Sequence, residues 1–163
     1  MIGIRHVEPA DAAQWIAMRV ALWPDEDGAD LAAEVARFLA QPRAQADGLL
    51  EAVLVAEADS PDPAPGLVGF AELTRRAYAE GCTTSPVGFL EGWYVLPGHR
   101  RQGVGRALVA AAEAWARAQG CREFASDTLL ENTASAAAHH ALGFEEVAML
   151  RCFRKDLAPD PER

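Results

Sequence analysis

The chain has 163 residues, half of them apolar, which is the size and composition of a single domain able to bury its own core. Acidic residues outnumber basic ones by 24 to 15, for a formal charge of −9, so nucleic acid is excluded as a partner and cationic ligands are favoured. Cys82, Cys121 and Cys152 are scattered, with no CxxC pair, so neither a disulfide framework nor a metal site is expected. The N-terminus has no apolar leader and no stretch is long enough to span a membrane, and the expected setting is the cytoplasm.

Ile2 to Val7 alternates apolar and polar residues as a half-buried strand does. Pro9 then suits a helix start; Trp15, Met18 and Leu22 follow at helical spacing, and Pro24 ends that helix. A second helix places Leu31, Val35, Phe38 and Leu39 on one face and stops at Pro42. Leu49 to Glu57 predicts a strand, and the proline-rich run Asp59–Gly66 a long hairpin tip. Leu67 to Leu73, continuing toward Arg76, is the next strand; Tyr78 to Pro86 is a loop; Val87 to Val95 is a near-continuous apolar strand carrying one acid, Glu91.

A helix from about Gly103 to Gln119 buries Val104, Ala107, Leu108, Ala111 and Trp115, and Gly120 closes it. A short strand, Glu123 to Asp127, precedes a helix capped by Asn132 or Thr133 and ended by Gly143. A last strand is expected over Glu145 to Asp156, within one domain spanning 1–157 and followed by a flexible tail, 158–163. No internal repeat is visible. Three consecutive strands suit an antiparallel meander. The later strand–helix–strand unit demands a parallel pair with a right-handed crossover, giving a mixed α/β sheet with helices on its faces.

The chemistry concentrates where the strand Val87–Val95 passes through Leu96-Pro97-Gly98-His99 into Arg100-Arg101-Gln102-Gly103-Val104-Gly105-Arg106 and then a helix. A helix start presents unpaired amides and a positive dipole end, and with flanking arginines it suits a pyrophosphate. A basic turn using its glycines only for conformation is the bland alternative. A dinucleotide-binding turn is the sharper one: Gly103-Val104-Gly105 begins the GxGxxG pattern and Asp127 lies about 20 residues on. Leu108 at the third glycine position, and a unit that follows a meander instead of opening the sheet, argue against it.

Arg100, Gly103 and Gly105, with Asn132 ahead of a helix ending in Leu142-Gly143-Phe144, resemble the two signatures of the GNAT superfamily of N-acetyltransferases. A narrower resemblance, to chromosomal-type aminoglycoside 6′-N-acetyltransferases, rests on several blocks. These are Leu22-Trp23-Pro24, Ser85 to Gly92, Val95-Leu96-Pro97, Cys121 to Thr128, His139 and Gly143-Phe144-Glu145-Glu146. The resemblance implies a mixed, mostly antiparallel sheet whose central parallel strands splay apart around acetyl-CoA, which Tyr94, Val95, the turn Arg100–Arg106, Asn132 and His139 would contact.

It further implies Val95 N–H as oxyanion donor and Glu91 as base acting through water, the alternative for Glu91 being a buried acid satisfied within the sheet. Asp127 would accept from substrate ammonium groups, or cap a helix or turn. Trp23 and Tyr78 would stack on sugar rings, Trp23 having core packing as its alternative. His139 stands where many superfamily members place a tyrosine acid, and would protonate the leaving thiolate or be an ordinary helix residue. Asn132 contacts coenzyme, caps its helix, or both. The loop Ala77–Thr84 offers one acid, Glu80, where relatives usually have two, which bears on the substrate spectrum.

The implied function is transfer of acetyl from acetyl-CoA to the 6′-amine of an aminoglycoside, conferring antibiotic resistance, with no metal. The last strand has no following hairpin partner within the chain, which predicts a homodimer in which this end region pairs across or packs at the subunit interface. Acetylation of another amine (a polyamine, a protein N-terminus or a lysine) is a second reading. A non-catalytic acyl-CoA or aminoglycoside-binding module is a third.

Overall fold

The computed structural model describes residues 2–40, 50–58 and 66–157. Strand β1 (Ile2–His6) leads through a 3₁₀ turn at Pro9–Asp11 into α1 (Ala12–Leu22) and α2 (Gly28–Ala40). Strands β2 (Ala52–Ala58), β3 (Gly66–Arg76) and β4 (Val87–Val95) follow, then α3 (Val104–Ala118), β5 (Phe124–Ser126) and α4 (Thr133–Ala141). Pro42, Leu49, most of the expected hairpin tip and the tail lie outside the described residues.

One sheet runs in the order β1-β2-β3-β4-β5, antiparallel until β4 pairs with β5 in parallel. The expected meander and crossover are therefore both present. The sheet is covered on two sides: Trp15, Met18 and Val35 pack over Val53, Val55 and Phe70 on one face, and Val104, Leu108 and Ala112 over Leu54, Ala71 and Leu90 on the other. In α3 the buried stripe is Val104, Leu108, Val109, Ala112 and Ala116, so Ala107, Ala111 and Trp115 sit at its half-buried margin instead of its centre. The expected stripe was rotated by part of a turn because both flanks are apolar.

Two departures matter for function. Glu72 pairs with Gly92 while Leu73 pairs with Leu90, so Glu91 is the extra residue of a β-bulge in β4. Leu90 packs toward α3, whereas Glu91 and Gly92 both face the α1 side, and Trp93 returns to the α3 side. Pairing between β4 and β5 ends at Leu90 and Ser126, and β4 continues five residues further with a gap beside it.

The expected strand over Glu145–Asp156 does not form. These residues make no ladder with the described strands, and Met149, Leu150 and Phe153 are exposed. β5, the edge strand of the sheet, is three residues long and offers few free backbone groups for another strand to join.

The candidate acyl-transfer site

The turn after β4 is braced before any ligand arrives. Arg100 Nε donates to Val95 O at 2.9 Å, its guanidinium lies 5.6 Å from the Tyr94 ring centre, and Gln102 Nε2 donates to Gly98 O at 2.8 Å. Arg101 (φ 57) and Gly103 (φ 87) take left-handed backbone, which turns successive amides toward one concavity. The first helical bond is Ala107 N–H to Gly103 O, at 2.9 Å, and residues 101–106 donate no backbone hydrogen bond to another described residue. The amides at this helix start, ahead of the first helical bond and beside Arg100, Arg101 and Arg106, fit a diphosphate. Val104, buried, contributes only its backbone to that surface.

The two glycines serve different ends. At Gly103 a β-carbon would meet nothing within 4 Å, so the left-handed φ is what requires glycine. At Gly105 a β-carbon would lie 2.7 Å from the Trp93 ring, so the requirement is close packing of α3 on β4.

Val95 faces the gap. Leu96 N–H donates to Val68 O at 2.9 Å across the ladder to β3. By strand alternation the Val95 N–H and C=O then point the other way, and Arg100 takes the C=O. Its N–H is left toward the opening between β4 and β5.

His139 stands at the same opening. Its ring meets Trp93 and Phe144 edge-on, at 5.5 and 5.1 Å. Nδ1 lies 2.8 Å from Ser135 O, which can only accept, so in the neutral ring Nδ1 carries the proton. Nε2 is 3.0 Å from Ser126 Oγ, which is itself 3.1 Å from Leu90 O. When the imidazole is protonated, Nε2–H can donate to Ser126 and Ser126 to Leu90, satisfying the whole chain. Asn132 caps α4, accepting from Ser135 N–H at 3.1 Å.

On the other face, Glu91 is half-buried and accepts from Thr74 Oγ1 at 2.5 Å, Arg76 Nε at 3.0 Å and Arg76 Nη2 at 2.6 Å. Trp23, at the end of α1, lies over Gly92, with the Arg19 guanidinium 5.1 Å from its ring centre. Beneath it Arg19 Nε and Trp15 Nε1 each stand 2.8 Å from Glu72 Oε1. Burial pushes the Glu72 carboxyl up to about 7, against the pull of Arg19 and Trp15. Trp23 is thus packed on the sheet at Gly92 and remains half-exposed.

Three expected substrate contacts are not drawn in. Tyr78 and Glu80 are exposed on the loop after β3, and Asp127 is exposed just beyond β5. That loop is pinned at the start of β5 by Glu123, whose carboxyl is held below the usual range by the Thr84 hydroxyl and then by the amides of Thr84 and Thr83.

Sequence reasoning missed Trp93, Ser126, Thr74 and Arg76. The period-2 set Glu72, Thr74, Arg76 was the available signal for the last two. Burial pushes the thiols of Cys82 and Cys121 up, which makes both poor nucleophiles. Among the described residues no group of three or more His, Cys, Asp or Glu side chains could hold a metal, and no helix is long and apolar enough to cross a membrane.

An open helix start beside a parting strand pair, with Glu91 on one face of β4 and His139 on the other, is the arrangement of a coenzyme-thioester-dependent acyltransferase. Residues 15–144 match the acetyltransferase (GNAT) family, and the chain belongs to it. The aminoglycoside N(6′)-acetyltransferase type 1 of Klebsiella aerogenes is 54% identical over 94% of this chain and 96% of its own length. That of Stenotrophomonas maltophilia is 45% identical over 96% and 94%. The solved structure of AAC(6′)-Iy in complex with the bisubstrate analogue CoA-S-monomethyl-acetylneamine superposes with a TM-score of 0.82 at 39% identity, covering 96% of this chain and 99% of that one.

Proposed function

We propose that this chain is an aminoglycoside 6′-N-acetyltransferase, moving acetyl from acetyl-CoA to the 6′-amino group and thereby conferring resistance in the cytoplasm. The observation that carries this reading is the 54% identity, over nearly the full length of both chains, to an enzyme of that name. The architecture agrees with it.

Acetyl-CoA supplies an activated acyl thioester. The amides of residues 101–106, with Arg100, Arg101 and Arg106, hold its diphosphate, and Tyr94 and Val95 line the gap that receives the acyl end. Val95 N–H, fixed in a strand, meets the negative charge that develops on the carbonyl oxygen as the amine attacks. Glu91 takes the proton that the acceptor ammonium must lose, through water, with Thr74 and Arg76 fixing the carboxylate. His139, backed by Ser135 and bonded to Ser126, returns a proton on the thiolate side. Transfer is direct and sequential, since neither raised-pKa thiol suits an acyl carrier.

Trp23 and Tyr78 offer faces for sugar rings, while Glu80 and Asp127 supply negative charge to further ammonium groups. Asn132 acts as a helix cap that sets α4, and with it His139. The exposed apolar run Val147, Met149, Leu150 and Phe153 supports a homodimer in which this segment finds its ladder on a second copy.

The test is free-thiol release from acetyl-CoA with kanamycin or tobramycin, run beside a congener bearing a hydroxyl in place of the 6′-amine. Turnover on the first and silence on the second is expected. Equal rates would discard the regiochemistry, and turnover only on a polyamine or peptide would move the chain to another acceptor.

A further inference from the structure

The Glu91 carboxylate is already clamped by a cation of its own sheet. Arg76 Nε reaches Oε1 at 3.0 Å and Nη2 reaches Oε2 at 2.6 Å, the two-pronged geometry in which a guanidinium binds a carboxylate most specifically. The guanidinium carbon lies 3.4 Å from the centre of the Phe89 ring, which is buried two residues before Glu91. Oε1 also accepts from Thr74 Oγ1 at 2.5 Å. A carboxylate has about four acceptor positions, so three are filled from within and one, on Oε2, is left.

Alternation and the bulge together shape this place. Thr74 and Arg76 alternate on the face of β3 that carries Glu72, and Glu91, one residue after the α3-facing Leu90, lies on that same face. The bulge then keeps Gly92 on that face too, where the Trp23 ring covers it.

We propose that Arg76 is a positioning and specificity-determining residue: a resident counter-ion that stays on Glu91 while the acceptor is bound. It neutralises the carboxylate so that a polycationic acceptor is not trapped there as an ion pair, and leaves one lone pair of Oε2 to receive the proton. Acceptor affinity then comes from acids elsewhere, and Arg76 trades tightness of binding for a correctly aimed base. This rests on the role assigned to Glu91 above.

Two substitutions separate charge from geometry. Arg76→Gln removes the cation and is expected to lower the KM and Kd for tobramycin roughly fivefold, as for a half-exposed charge. It should also lower kcat about tenfold by releasing the carboxylate, with acetyl-CoA affinity unchanged. Arg76→Lys keeps the charge without the fork, so tobramycin KM should return to the wild-type value while kcat stays low. A tobramycin Kd that is unchanged or raised in Arg76→Gln, at an unaltered melting temperature, overturns the proposal.

The wild-type protein gives an independent readout. The Arg76 Nε–H resonance in ¹⁵N NMR should be shifted and slow to exchange with solvent in the free protein, and should remain so through a titration with tobramycin. Its return to the free-arginine position on addition of ligand would show displacement, and would overturn the proposal even if turnover is normal. If wild type neither binds nor acetylates tobramycin, the functional reading fails. The clamp is then judged on the same resonance with spermine as the probe, and a free-arginine signal there sinks it.

Discussion

The Trp93 indole occupies the space that a side chain at Gly105 would need, 2.7 Å from where its β-carbon would lie. The start of α3 is thereby held against β4, so the turn after β4 and the gap beside its end are set by one contact. Gly105→Ala is expected to cost about 1–3 kcal/mol of stability, as overpacking does, and to weaken acetyl-CoA binding through the displaced helix start. Gly103→Val meets no neighbour but forces a branched side chain into left-handed backbone, and should abolish acetyl-CoA binding. Isothermal titration with thermal melts checks both, and unchanged coenzyme affinity in Gly103→Val would remove the phosphate argument.

Glu91→Gln keeps the side chain's size and removes the proton acceptor, at the loss of one arm of the Arg76 fork, which then meets an NH2 group. Turnover should fall about a hundredfold or more, the usual loss for a general base, with acetyl-CoA affinity little changed. Steady-state kinetics against both substrates distinguishes this from a structural loss, which would depress coenzyme binding as well.

Stability should fall as pH rises toward neutrality. Burial lifts the Glu72 carboxyl from its ordinary 4.5 to about 7, so between those values the folded protein holds a proton that the unfolded chain has released. The contribution is complete below pH 4.5 and lost as pH passes about 7, and its size is on the order of a few kcal/mol. Urea midpoints at pH 5 and pH 8 measure it. In Glu72→Gln the slope over that window should vanish, with Arg19 still held by Glu34 and the Leu31 carbonyl.

Asp11 works in the opposite window. Arg5 holds its carboxyl below the ordinary 3.8 through two hydrogen bonds, at 2.6 and 2.9 Å, so its stabilising effect is full above that value and lost on acidification. Asp11→Asn should flatten the acid limb of the unfolding curve and leave the neutral limb unchanged.

The exposed C-terminal segment gives a prediction about assembly. Light scattering at micromolar concentration should report a dimer, and Phe153→Asp should shift it toward monomer. A wild type that is monomeric at that concentration would count against the proposed pairing.

Much of this was legible before the structure because the informative residues are local. Val87–Val95 is apolar along its length, and the glycines and arginines that follow fall at fixed spacing, so strand, turn and α3 were each read from neighbours in the chain. What escaped depended on partners far apart in sequence. The bulge at Glu91 is a mismatch of two strands and is invisible in either alone, and so the clamp by Thr74 and Arg76 stayed hidden. Arg19 and Glu72 look like ordinary surface charges until α1 folds over β3. The Glu145–Asp156 run has the apolar content of a strand, yet a strand needs an edge to join.

The bulge has a consequence for how the acceptor range can drift. It puts Trp93 and Val95 on one side of β4 and Glu91, with Arg76, on the other, and the proposed reading gives the first side to the donor and the second to the acceptor. On that reading a replacement at Trp23 leaves both the donor grip and the base in place, so a lineage under changing drug pressure can shift its acceptor preference there at little cost to the chemistry.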